Sequence, residues 1–177
     1  RCGMTRAQLE HILRAAAAIT GADRFVVIGS QAILGQFPGA PEELTISIEA
    51  DVYSPRPGPD TDLIEGSIGE GSPFHKTFGY FAHGVAEETA VLPAGWKDRL
   101  VAVQSAGTGG ATGLCLEVHD LAASKLAAGR DKDIEYVAAI VRHGLGRREV
   151  IQDRVSSLKA PYKELCQARL TKALALM

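Results

Sequence analysis

The chain has 177 residues, of which 46% are hydrophobic, 23% charged and 6% aromatic, which excludes collagen-like, low-complexity and largely disordered classes. A chain of this length buries roughly 70% of the surface its unfolded form exposes, so it holds a core without disulfides or a structural metal. Nineteen Lys plus Arg stand against twenty-one Asp plus Glu, a formal net charge of -2; no global field draws it to a phosphate backbone or an anionic membrane. Any nucleic-acid contact needs a local patch, and DNA sequence readout is not expected.

The three cysteines, Cys2, Cys115 and Cys166, are odd in number and widely spaced, with no CxxC pair and no His partner at metal-ligand spacing; this usage fits a reduced, cytoplasmic setting. No run approaches the ~18 apolar residues of a membrane span, and the N-terminal segment lacks a signal-peptide core.

Thr5 followed by Gln8 is a capping-box signature, and Leu9, Ile12, Leu13, Ala16 and Ile19 recur at helical spacing, so a helix is predicted from residue 5 to about 20, stopped by Gly21. Phe25 to Ile28 is a short apolar run that suits a buried strand. Gly29-Ser30 interrupts it, and Gln31 to Gln36 reads as a short helix with Ser30 as N-cap. The segment TISIEADVY, residues 45–53, alternates, with Ile46, Ile48, Ala50 and Val52 on one face and Thr45, Ser47, Glu49 and Asp51 on the other.

A turn-rich break, SPRPGPDTD, leads to a short helix over 60–68, then to a glycine-rich segment and the aromatic, basic loop GSPFHKTFGYF. Weaker strands are expected at Gly79 to Val85 and Arg99 to Gln104, and SAGTGGATG marks a long loop or a tight return into Leu114-Cys115-Leu116. Beyond it the chain reads as helical. Asp120 is the expected cap of a helix ended by Gly129, Asp131 opens another carrying Ile134, Val137 and Val141, and residues 147–157 and 162–175 complete the tail. Strands between helices, followed by helices alone, give an α+β (mixed α/β) fold: a mixed sheet flanked by helices with a helical C-terminal third. The only subdomain boundary suggested is near residue 117, with 1–116 and 117–177 packed together.

The most informative feature is the order of Gly29-Ser30 after one strand and Glu49-Ala50-Asp51 on the next. Residues two apart in a strand point the same way, roughly 6 to 7 Å apart, so Glu49 and Asp51 project side by side and can share a cation. Mg²⁺ is commonly held by one or two carboxylates together with substrate phosphates. Backbone N–H groups at Gly29 and Ser30, at a helix start, would face those phosphates. Taken singly, the acids also suit a wet strand face and Gly29-Ser30 a serine-capped turn.

In combination, GSQAIL followed by SIEADVY resembles the nucleotidyltransferase superfamily with its polymerase-beta-like palm, whose pattern is a Gly-Ser or Gly-Gly turn followed by an acid-hydrophobic-acid strand. Downstream, HDLAASKLAAGRDKDIEYV resembles the Asp-Leu-Ala-x-x-Lys and Arg-x-Lys-Asp segments of the branch containing AbiEii-type bacterial toxins. The resemblance spans roughly residues 24 to 145. It implies a palm core with an N-terminal helix over 1–116, and an enzyme that transfers a nucleoside monophosphate from an NTP to an acceptor hydroxyl. Gly29 and Ser30 would hold the triphosphate, and Glu49 and Asp51 would carry Mg²⁺ or Mn²⁺. Lys125 would reach a phosphate, Arg130 and Lys132 would add positive charge near the leaving pyrophosphate or an acceptor strand, and Asp133 would be a further acid or would orient Lys125. The acceptor would be RNA, such as tRNA, met through a local basic patch, or a protein; the toxin branch also implies an antitoxin or regulatory partner.

Two departures from the pattern leave a catalytically weak nucleotide-binding protein, or a protein-interaction module working through the helical tail, as alternatives. Glu49 stands where Asp is usual, and neither GYFAHGV nor RLVAVQ supplies a third carboxylate. His83 on the first of these strands reads as a base, a base-stacking contact or a partly buried polar group. Trp96 reads as a structural anchor, and Cys115 and Cys166 as core residues. Ser47, on the face of Glu49 and Asp51, is a candidate regulatory phosphosite, because a phosphate there adds roughly two negative charges where a metal-bound triphosphate would sit.

Overall fold

The structure, a computed structural model, describes residues 3–177; Cys2 lies outside them. Eight α-helices and five strands are present among the described residues: α1 (Arg6–Thr20), β1 (Arg24–Ile28), α2 (Ile33–Gln36), β2 (Glu49–Tyr53), α3 (Asp60–Ile68), α4 (Pro73–Phe78), β3 (Phe81–Gly84), β4 (Val101–Val103), β5 (Thr112–Cys115), α5 (Val118–Ala128), α6 (Asp131–Arg142), α7 (Arg148–Ser156) and α8 (Tyr162–Leu174). The sheet runs β3-β2-β1-β5-β4, with β2 antiparallel to β1, β5 parallel to β1, β3 parallel to β2 and β4 antiparallel to β5. The fold is mixed α+β.

The capping box is present as the sequence implies: Thr5 Oγ1 accepts from the Gln8 N–H and the Gln8 side chain accepts from the Thr5 N–H. Leu9, Ile12, Leu13 and Ala16 of α1 are fully buried. A Cβ on Gly113 of β5 would lie 2.5 Å from Leu13, and one on Gly35 of α2 would lie 2.5 Å from the Cβ of Cys115. Gly113 and Cys115 share one strand face, so α1 and α2 cover the same side of the sheet. Ala50 and Val52 are buried while Glu49 and Asp51 are not. Ile28, Asp51 and His83 sit abreast in adjoining strands and so project from one face.

One continuous hydrophobic cluster runs from Met4 through β1 and β5 into α5, α6, α7 and α8, reaching Ala173. Cys115 and Cys166 both lie in it as free thiols, and burial pushes the Cys115 thiol up to about 12. No helix among the described residues is long and apolar enough to cross a membrane.

Four local expectations are corrected. The alternation over 45–53 yields a strand only from Glu49, with Ile46 61% and Ile48 43% exposed. Pairing with β1 ends at Ile28 opposite Asp51, where Gly29 turns the chain away, and β3 carries the strand on only as far as Glu49 opposite Phe81, so residues 45–48 have no register partner in either strand. The aromatic loop after the glycine-rich segment contains α4. Its signals are standard ones: Ser72 Oγ accepts from His75 N–H, Pro73 sits in the first turn and Gly79 ends the helix at φ 81°. Its aromatic residues Phe74 and Phe78 pack with Tyr80 and His11, with Phe78 left half exposed.

Asp120 does not cap α5. Glu117 does, accepting from the His119 N–H, while Asp120 is fully buried and binds Arg99 Nε at 2.8 Å, Arg99 Nη2 at 2.8 Å and Arg154 Nη1 at 2.9 Å. It ties α7 and the segment before β4 to α5. Ser30 does not cap a helix either: it is the first residue of a 3₁₀ turn, Ser30–Ala32, that precedes α2, and its side chain makes no capping bond.

Candidate active site

The sheet face carrying Asp51 meets the end of α5 and the start of α6 in a groove lined by Ser30, Ser47, Glu49, Asp51, Lys125, Arg130 and Lys132. Gly29 opens it, at φ 73° and ψ -173°, a conformation reserved almost wholly to glycine. A Cβ on Gly29 would also lie 2.5 Å from Asp51 Oδ2. The turn therefore needs glycine twice: for its backbone angle and for the carboxylate that lies against it.

Beyond Gly29 the turn is held from three sides. Gln31, buried, donates from Nε2 to the Ser47 carbonyl at 2.6 Å, fixing the chain that leads into β2. Tyr136 of α6 donates its hydroxyl to the Ser30 carbonyl at 2.7 Å. Lys125 Nζ donates to Ser30 Oγ at 2.6 Å, so the serine hydroxyl meets the groove's lysine rather than the helix. The ammonium also lies 4.8 Å from the centre of the Tyr136 ring, a cation–π contact.

Lys125 is only 12% exposed, and Asp133, 1% exposed, stands 3.6 Å from its Nζ. Burial lowers the Lys125 ammonium from its ordinary value, and the Asp133 charge opposes that. Burial works to raise the Asp133 carboxyl, but the hydrogen bond from Arg130 and the charge of Lys125 hold it below the usual carboxylate range. Asp133 accepts from Arg130 Nε at 2.7 Å and from the Arg130 backbone N–H at 3.1 Å, so it also caps α6. It is thus bound to cations on two sides. Its contacts place it beside Lys125 and Arg130.

Opposite the lysine, Glu49, Asp51 and His83 bring one ligand atom each within 4.8 Å of one another. Asp51 and His83 are register partners in β2 and β3, and His83 Nδ1 lies 3.2 Å from Asp51 Oδ1. Burial pushes the Asp51 carboxyl up; His83 pulls it down and Glu49 adds to the rise. His83 is half exposed and keeps its polar contact with Asp51.

Residues 7–144 match the model of a family described as nucleotidyltransferases of unknown function, DUF6036. The chain belongs to this family. No curated protein and no solved structure matches the chain. The match covers every groove residue from Gly29 to Asp133, and supports the superfamily resemblance without singling out its AbiEii-type branch.

Within this DUF6036 chain the groove gathers Gly29, Ser30, Ser47, Glu49, Asp51, Lys125 and Asp133. Arg130 and Lys132 lie at its rim with exposed side chains. Sequence reasoning missed Tyr136, although Asp133 and Tyr136 are three apart on one helix face. It also missed Gln31, for which no sequence signal was present.

Proposed function

We propose that the groove transfers a nucleoside monophosphate from an NTP to an acceptor hydroxyl, with release of pyrophosphate. The observation that carries this reading is the facing of a two-carboxylate cluster and a buried lysine across a glycine turn. Phosphoryl transfer asks little covalent chemistry of a protein and much positioning and charge stabilisation.

The donor set fits a divalent cation. An octahedral ion with ligands at about 2.1 Å sets neighbouring donor atoms about 3 Å apart, and the Asp51–His83 pair is separated by 3.2 Å. Burial first, and Glu49 beside it, raise the Asp51 carboxyl against the pull of His83 and Lys125, and a bound cation would favour its ionised form. Glu49 and Asp51 would hold Mg²⁺ or Mn²⁺, whose part is to neutralise charge on the phosphates. Lys125, held forward by Asp133 and Ser30, supplies a second positive charge from the opposite wall. Ser30 Oγ and the Gly29-Ser30 backbone orient the triphosphate between them.

Beside the groove a cavity of about 270 Å³, which shares Ser30, Ser47 and Lys132 with it, adds Ile46, Leu44 and Tyr136 to its lining; it offers an apolar wall to a nucleoside. Arg130 and Lys132 give the rim a local basic patch suited to an RNA acceptor such as tRNA. The pairing of buried free cysteines with this chemistry fits a cytoplasmic enzyme. A toxin role with a cognate antitoxin rests on the resemblance of the α5–α6 segment alone.

A second reading, nucleotide binding with weak or no catalysis, is favoured by one observation: the cluster holds two carboxylates and a histidine, not three carboxylates. Titration calorimetry with each NTP, with and without Mg²⁺ or Mn²⁺, together with a pyrophosphate-release assay, separates the two. Metal-dependent binding with pyrophosphate release supports transfer. Binding without release supports the second reading, and absence of binding overturns both.

A further inference from the structure

We propose that His83 is a direct ligand of the divalent ion, standing where a third acid would stand, and that it biases the site toward Mn²⁺ over Mg²⁺. The proposal rests on the Glu49–Asp51 ion site proposed above. It concerns which atoms complete that site and which ion it selects.

Three observations carry it. β3 runs parallel to β2 with His83 directly beside Asp51, so the imidazole emerges on the carboxylate face by strand register rather than by a chance rotamer. Its Nδ1 is 3.2 Å from Asp51 Oδ1, a hydrogen-bond contact that also matches the spacing of adjacent ligands on one ion. Among the described residues, Glu49, Asp51 and His83 form the one cluster of three such side chains whose donor atoms converge within 4.8 Å.

The other acid at the groove, Asp133, is bound to Arg130 and Lys125 on the facing wall. It is therefore engaged away from the ion. The side chain of His83 is half exposed and meets no second carboxylate that would hold it back.

The consequence for selectivity follows from ligand chemistry. Mg²⁺ is a hard ion that takes oxygen donors and retains its waters. Imidazole suits first-row transition ions, the later ones most and Mn²⁺ least, but each of them better than Mg²⁺, whereas carboxylate suits Mg²⁺ and Mn²⁺ alike. Two carboxylates and one imidazole form a set that Mn²⁺ fills with all three ligands and Mg²⁺ fills poorly. The set also carries two formal negative charges in place of three, which weakens the purely electrostatic hold on any divalent ion. Selection then depends more on ligand type.

The test uses Mn²⁺ itself as the probe, on the full chain with a non-hydrolysable NTP analogue. Pulsed electron paramagnetic resonance detects an imidazole nitrogen bound directly to Mn²⁺, independently of activity. Wild type is expected to show that nitrogen signal, and His83→Ala to lose it and to bind Mn²⁺ about tenfold or more weakly. His83→Asp is expected to bind Mn²⁺ without the nitrogen signal and to shift the Mn²⁺-to-Mg²⁺ affinity ratio toward Mg²⁺ by about tenfold. A cooperative melting transition above the assay temperature certifies that each variant folds.

Tight Mn²⁺ binding by wild type with no nitrogen signal, or a signal that persists in His83→Ala, overturns the proposal while leaving the carboxylate site intact. Absence of Mn²⁺ binding by folded wild type overturns the ion site and this proposal together.

Discussion

The Lys125–Asp133 arrangement makes an asymmetric demand on stability. Removing Asp133 leaves an ammonium that is 12% exposed without its counter-ion, and breaking a buried pair from one side costs about 3–5 kcal/mol. That figure is reduced here because the pair is separated by 3.6 Å and Lys125 keeps Ser30 Oγ and the face of Tyr136. To it is added the lost α6 cap, about 1 kcal/mol; the Arg130 pair, with a 59% exposed guanidinium, adds little. Asp133→Ala is therefore expected to lose about 3 kcal/mol, and in a chain of this size about 2–4 °C of melting temperature accompanies each kcal/mol.

Lys125→Met removes the charge that needs compensation and keeps its volume. Asp133 retains Arg130 Nε and the backbone N–H, so this variant is expected to lose about 1 kcal/mol or less. Urea unfolding at pH 7 measures both. The sign with pH is fixed as well: a carboxyl held below its ordinary range stabilises fully above that range, and loses its contribution as pH falls through the folded-state value. The deficit of Asp133→Ala should shrink under acid conditions. Equal losses for the two variants, or a deficit indifferent to pH, would refute the view that Asp133 is a counter-ion for Lys125.

Other expectations follow from single contacts. Asp51→Asn relieves an acid raised by burial and by Glu49, so the metal-free protein should gain stability; the proposed ion site predicts that Mn²⁺ raises the melting temperature of wild type by mass action and leaves this variant unmoved in scanning calorimetry. Gly29→Ala forces a side chain toward Asp51 Oδ2 in a conformation that costs about 1–3 kcal/mol, and should lose NTP affinity along with stability. Asp120→Ala takes the carboxylate from Arg99 and leaves Arg154 with Glu117 alone, with an expected loss of about 3 kcal/mol and no specific effect on NTP binding by the residual folded protein. Ser47→Glu adds a charge beside Glu49 in the groove and is expected to weaken NTP binding about tenfold, the direction phosphorylation would take; unchanged affinity in calorimetry would remove Ser47 as a regulatory position.

Much of this architecture is written locally. The Thr5–Gln8 box, the apolar run of β1 and the Gly21, Gly129 and Gly144 stops each act within a few residues, and their elements are present. Glu49 and Asp51 were legible because strand alternation fixes their common face. What sequence patterning left open depends on partners distant in the chain. The alternation at 45–48 promised a strand that neither β1 nor β3 continues far enough to pair. Asp120 has the form of a helix cap, and only the arrival of Arg99 and Arg154 makes it a buried anion. His83 joins Asp51 through strand register, and Lys125 finds Ser30 ninety-five residues away; no local spacing encodes either meeting.

The central claim is tested most directly by following label from NTPs carrying it at either the α- or the γ-phosphate, with Mn²⁺ or Mg²⁺ and total bacterial RNA, for wild type and Asp51→Asn. Nucleotidyl transfer requires α-label in the acceptor, γ-label in pyrophosphate, and neither with the variant. Label retained in the NTP by a folded wild-type protein, or transferred equally well by Asp51→Asn, would contradict the assignment of this groove as a nucleotidyltransferase centre.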